Sequence, residues 1–84
     1  MKHAGRDALD QLEDLLSALR RLPDLRERSR GVFYRRSTSF LHFHDDPAGL
    51  FADLRRGGEF KRFKVSSAAE RRAFIAVVRS ELEA

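Results

Sequence analysis

The chain contains no cysteine, so neither a disulfide nor a thiolate zinc staple can hold it together. Stability must come from a hydrophobic core or from a partner, and a reducing compartment suits such a composition. No run approaches the roughly 20 apolar residues that a membrane span needs. The first residues, Met1-Lys2-His3-Ala4-Gly5-Arg6-Asp7, lead into a segment studded with acids and do not form an apolar signal region. These features predict a cytoplasmic protein with no membrane partner. Repeats and low-complexity segments are missing too. No glycine-rich loop precedes a helix in the phosphate-cradling pattern, since Gly57-Gly58 follows a periodic segment instead of opening one.

What is present fits one domain spanning residues 1–84. A chain of this length buries only about 60–65% of the surface its unfolded form exposes, which allows one small core but no deep cleft. The net charge is +4, carried mostly by arginines in pairs: Arg20-Arg21, Arg35-Arg36, Arg55-Arg56 and Arg71-Arg72. Spread pairs read first as solvated surface. Their sign favours nucleic acid, phosphorylated ligands or an acidic partner.

Hydrophobic periodicity places an amphipathic helix over residues 7–22, with Leu9, Leu12, Leu15, Leu16, Leu19 and Leu22 on one arc. Pro23 ends it. The polar segment that follows is a loop or a short edge strand around Leu25–Ser29. Val32–Arg35 and Phe40–His44 are rich in β-formers, and Arg36-Ser37-Thr38-Ser39 is short enough to join them as a hairpin. Asp46-Pro47 has the form of an N-cap followed by a first-turn proline. It predicts a helix from Pro47 to about Arg56, with Leu50, Phe51 and Leu54 inward and Gly57-Gly58 as the stop. Glu59 to Val65 reads as a third strand, with a bulge suggested by the opposite parity of Phe60 and Phe63. Ser67-Ala68-Ala69-Glu70 matches a capping box that opens a last helix running to about Glu83. The order is α-β-β-α-β-α, class α+β: a small, mainly antiparallel three-stranded sheet with flanking helices. Leu16, Leu19, Leu41, Phe43, Leu54, Phe74 and Val78 are the expected core.

The chemistry-bearing stretch is His42-Phe43-His44-Asp45-Asp46. Residues two apart on a strand share a face, so His42 and His44 can reach one metal ion. Asp45 points to the other face, Asp46 is committed to the cap, and His3 is distant in sequence. A nucleophile at a defined spacing is missing, so the reading leans away from an enzyme, and no cofactor is implied. With Leu41 and Phe43 turned to the helices, Phe40, His42 and His44 occupy the opposite face. Tyr34 and Arg36 join them in one hairpin register, Phe33 and Arg35 in the other, and the third strand adds either Arg62 and Lys64 or Lys61 and Phe63. The candidate binding residues are therefore Tyr34, Arg36, Phe40, His42, His44, Arg62 and Lys64.

The stretch FLHFHDDPAGLFADLR, with the downstream SSAAERRAFIAVVRSEL, resembles a small bacterial family of uncharacterised proteins from about Leu19 to the end. That resemblance implies no activity, cofactor or partner. The string His42 to Asp46 also resembles part of the HxHxDH signature of metallo-β-lactamase-fold hydrolases, over five residues and without the closing histidine. The α-β-β frame, with its later strand and helix, is similar to the double-stranded-RNA-binding domain. The final helix opens on Ser67-Ala68-Ala69-Glu70 where that family has a lysine cluster. The reading that follows is a binding module without catalysis, for a protein partner or a second copy of itself. The alternatives are a nucleic-acid or anion-binding module using a basic, aromatic sheet face, and a metal-binding protein using His42 and His44.

Overall fold

The computed structural model describes residues 2–84. In chain order the elements are β1 (Lys2–His3), α1 (Arg6–Gln11), α2 (Glu13–Arg20), β2 (Leu25–Ser29), β3 (Val32–Arg35), β4 (Thr38–Asp46), β5 (Gly49–Arg56), β6 (Glu59–Lys64) and α3 (Ala68–Glu83). The class is α+β with an antiparallel sheet, but the sheet has six strands, not three. Strands β2 to β6 form a meander in sequence order, and β1 pairs with the far end of β4. The similarity to the double-stranded-RNA-binding frame does not extend to this strand count. No helix among the described residues is long and apolar enough to cross a membrane.

The main correction is the segment after Asp46-Pro47, which is strand β5 and not a helix. The Asp46 carboxylate accepts a hydrogen bond from the Ala48 N–H at 2.9 Å, so it closes a turn instead of capping a helix. Gly49 follows at φ +137°, where an L side chain is strained, and a Cβ there would run into the Ser66 hydroxyl. That geometry sends the chain back along β4, pairing His44 with Phe51 and His42 with Asp53. Leu50, Ala52 and Leu54 then alternate inward at the strand period of two, and all are buried. Gly57-Gly58, read as a helix stop, is the two-residue turn from β5 to β6, with both glycines at positive φ. The bulge expected in β6 is also misplaced. The β5–β6 ladder is regular, and the shifts lie between β2 and β3 and between β3 and β4.

The first amphipathic segment is two helices that meet at Leu12. Its N–H is shared between the carbonyls of Ala8 and Leu9 at 3.2 and 3.1 Å. The leucine stripe nevertheless runs through the junction: Leu9, Leu12, Leu15, Leu16 and Leu19 are all buried. Strand β2 forms, and Asp24 reverses the chain into it at φ +67°. The capping box at α3 is complete. Ser67 Oγ accepts from the Glu70 N–H at 3.1 Å, and Glu70 Oε1 accepts from the Ser67 N–H at 2.9 Å.

All three helices pack against one face of the sheet. Phe33, Leu41, Phe43, Ala52 and Leu54 meet the α1–α2 leucines, with Phe74 and Val78 of α3, in one core cluster. The seven expected core residues are all in it. Helix α3 crosses the sheet diagonally. Near its start Phe74 packs on Phe63 of β6, and near its end the Arg35 guanidinium donates to the Leu82 carbonyl at 3.1 Å. Ion pairs tie α2 to the sheet edge: Arg20 bridges Glu13 and Glu27, and Arg30 bridges Asp10 and Glu13.

Two outcomes follow. Gly49→Ala should lower unfolding stability in urea by more than about 1 kcal/mol, because the substitution strains a conformation on which the β4–β5 turn depends. Hydrogen bonds from Arg30 and Arg20 hold the Glu13 carboxyl down at about 2, and Arg20 lowers that of Glu27. Both groups ionise more readily folded than unfolded, so their pairing supports the fold above the ordinary value of 4.5 and is lost as pH falls from there toward about 2. Thermal melts over that interval should fall steeply, and a Glu13→Gln, Glu27→Gln variant should show a flatter profile.

Candidate functional site on the helix-free face

Strand alternation puts a second set of side chains on the face without helices. Across three strands, His42 of β4 stands opposite Asp53 of β5, which stands opposite Arg62 of β6. The neighbouring row runs from His3 of β1 through His44 and Phe51 to Lys64. Arg55 and Phe60 form the row on the other side. Toward β2, Tyr34 lies under the Arg28 guanidinium, 4.4 Å from its ring centre, and pairs with Arg26.

Asp53 is the hub. It is the one buried charged residue among those described, at 7% exposure, and four nitrogen atoms converge on it. Arg62 grips both oxygens, Nε to Oδ1 at 2.7 Å and Nη2 to Oδ2 at 2.8 Å. The Nε2 atoms of His44 and His42 approach Oδ2 at 3.0 and 3.4 Å. Bidentate pairing with Arg62, aided by the two imidazoles, holds the Asp53 carboxyl below its ordinary range despite its burial. Burial pushes His42 the other way, below the usual imidazole value, so the ring is neutral at pH 7. Phe60 packs edge-on against His42 at 4.8 Å and takes the Arg55 guanidinium on its own ring at 4.4 Å.

The structure sorts the residues expected from the sequence. His42, His44 and Arg62 come together, and Tyr34 shares their face. Phe40 does not. It is the extra residue of the β3–β4 bulge, where Phe33 pairs with Leu41 and Tyr34 with Ser39, and it is buried in the core. Arg36 sits at the β3–β4 turn at φ +59°, in a cleft with Gly57, Gly58 and Glu81. Lys64 has the outward register; the Ser67 N–H holds the Glu70 carboxyl below its ordinary range, and the Lys64 charge adds to that. Asp45 pairs with Lys2 and lines a cleft with Arg6 of α1, so the acid beside the histidines is Asp53 and not their sequence neighbour.

Sequence reasoning missed Asp53, Arg55, Phe60 and His3. The first two fell in the segment read as a helix, although the alternation Leu50, Ala52, Leu54 carried the signal that Asp53 and Arg55 face the other way. His3 gave no sequence signal. Its place follows from β1, anchored where the Ala4 N–H donates to the Phe43 carbonyl at 3.1 Å. The chain shows no significant similarity to any protein-family model, curated protein or solved structure compared with it.

Asp53→Asn should lower stability at pH 7 by about 1.5–3 kcal/mol, since it removes charge-assisted hydrogen bonds at a buried position. Arg62 is 46% exposed in its side chain, so Arg62→Ala should cost less, up to about 1 kcal/mol. Equilibrium urea unfolding of both variants checks the order.

Proposed function

We propose that the chain is a binding module without catalysis, that its working surface is the helix-free sheet face, and that its ligand is a single-stranded nucleic acid. One observation carries this reading: aromatic rings and guanidinium groups alternate across that face, while its central carboxylate is already neutralised. Arg26, Arg28 and Arg55 supply positive charge, and Tyr34, Phe51 and Phe60 supply rings. Phe60 is 37% exposed and is the one exposed large hydrophobic residue among those described. Open antiparallel sheets with this mixture stack bases on rings and hold phosphates with arginines. Helices α1 and α2, with Asp7, Asp10, Glu13 and Asp14, lie on the other face.

A second copy of the chain is a weaker occupant of this face. The aromatic surplus that motivates self-association is smaller than the composition implies, because Phe33, Phe40, Phe43 and Phe74 are spent in the core and Phe63 packs against it. Two such faces would also set arginine against arginine. The outer strand β6 carries Lys61, Arg62 and Lys64 along its length, a composition that resists edge-to-edge pairing.

Fluorescence anisotropy with labelled single- and double-stranded oligonucleotides, at low and near-physiological salt, tests the reading. Single strands should bind more tightly than duplexes, with an affinity that falls steeply as salt rises. Arg28→Ala with Arg55→Ala should flatten the salt slope, and Phe60→Ala should cost about 1–3 kcal/mol of binding. Absence of binding at low salt, or binding indifferent to Phe60→Ala, would overturn it. A concentration-dependent dimer in sedimentation at neutral pH, without oligonucleotide, would move the assignment to self-association.

A further inference from the structure

The sequence holds three histidines, and the fold gathers all of them in one patch. The ring centres of His42 and His44 are 5.0 Å apart, and that of His3 is 4.8 Å from His44 and 5.6 Å from His42. His3 reaches them from residues far away in sequence, through a two-residue strand whose register sets it opposite His44. Core packing does not demand this convergence, since the patch is on the face away from the helices. We infer that the patch is a binding site for a divalent transition-metal ion of the zinc type, held by Nε2 of His42, Nε2 of His44 and Oδ2 of Asp53, with the His3 ring beside them.

The donor spacing fits. One ligand atom from each of His42, His44 and Asp53 lies within 4.8 Å of the others. Zinc–nitrogen and zinc–oxygen bonds of about 2.0–2.2 Å put tetrahedral donors about 3.3 Å apart. The two edges to Asp53, 3.0 Å from His44 and 3.4 Å from His42, bracket that value, and the edge between the histidines lies within 4.8 Å. Both histidines present the same nitrogen to the same oxygen, which leaves an ion one place to sit. The side chains are 18%, 11% and 10% exposed, so the donors are held by their surroundings while the patch stays open to solvent on one side.

The donor chemistry selects the ion. Imidazole nitrogens with one carboxylate oxygen suit zinc and its transition-metal neighbours, whereas calcium and magnesium favour all-oxygen sets. Arg62 would act as an outer-shell partner: its Nε keeps Oδ1 of Asp53 oriented, and its 46% exposed side chain has room to draw Nη2 away from Oδ2. Its positive charge opposes an ion, and Nδ1 of His44 is buried with no hydrogen-bond partner to brace the ring. Both features make the site weaker than a closed structural zinc centre.

The test uses the full chain, stripped with a chelator, and titrates it calorimetrically with zinc. Parallel cobalt titrations follow the visible absorption that reports coordination geometry. One ion should bind per chain, raise the melting temperature and give a tetrahedral cobalt spectrum. Calcium and magnesium should do neither. His42→Ala and His44→Ala should each weaken binding beyond the roughly 10–100-fold typical of an outer-shell loss, and His3→Ala by about tenfold. All three face away from the core, and circular dichroism confirms that each variant is folded. Absence of zinc binding up to about 1 mM, or variants that bind as the parent does, would overturn the site. Oligonucleotide binding measured in the presence of chelator reports separately on the nucleic-acid reading, so failure of one is distinguishable from failure of the other.

Discussion

The ladder between β4 and β5 is the constraint on which the remaining structure depends. It is set by a four-residue reversal, Asp46-Pro47-Ala48-Gly49, in which a carboxylate closes the turn and a glycine takes a conformation that other residues resist. From that register follows the pairing of Leu41 with Leu54 and Phe43 with Ala52, which is the centre of the core. The same register sets His42 against Asp53 on the opposite face. A shift of one residue would exchange the two faces and leave neither a core nor a cluster. The hydrophobic layer and the polar site are thus two sides of one alignment.

The two faces have different chemistry because they meet different surroundings. The inner face is closed by the leucine stripe of α1 and α2 and by Phe74 and Val78 of α3, with Phe33, Leu41, Phe43, Ala52 and Leu54 buried beneath them. The outer face has no helix over it and tolerates charge. Its central charge, Asp53, is deep enough to need partners, and it has them in Arg62 and two imidazoles. A buried carboxylate with one arginine would already be satisfied. Two further nitrogen donors at the same oxygen exceed what structural satisfaction requires, which is the physical reason to look for function there. The surrounding arginines and rings extend that centre into a surface suited to an anionic, stackable ligand.

Much of this architecture was legible in the sequence wherever a local rule and the tertiary structure agreed. The leucine stripe, Pro23, the capping box at Ser67 and the strands around Val32, Phe40 and Glu59 rest on periodicity and end chemistry that act within a few residues. The segment 47–56 was not, because its signals supported two answers. Asp-Pro suits a helix cap and also a turn, Leu50 and Leu54 satisfy a helical as well as a strand period, and Gly57-Gly58 ends a helix or makes a hairpin. Pairing with β4 decides among them, and it is non-local. The β3–β4 bulge was hidden for a similar reason: nothing local marks Phe40 as the extra residue that turns inward.

By itself the sequence determined the class, the single-domain size, the residues able to fill a core and the presence of two histidines on one strand face. It also determined a positive charge with no cysteine to stabilise the fold. Only the tertiary structure decided which acid meets those histidines, that His3 joins them from β1 at the start of the chain, and that Phe60 and Arg55 complete the face. Those facts depend on strand register and on contacts between residues far apart in the chain. Composition and periodicity say which way a side chain points along its own strand, but not what stands across from it.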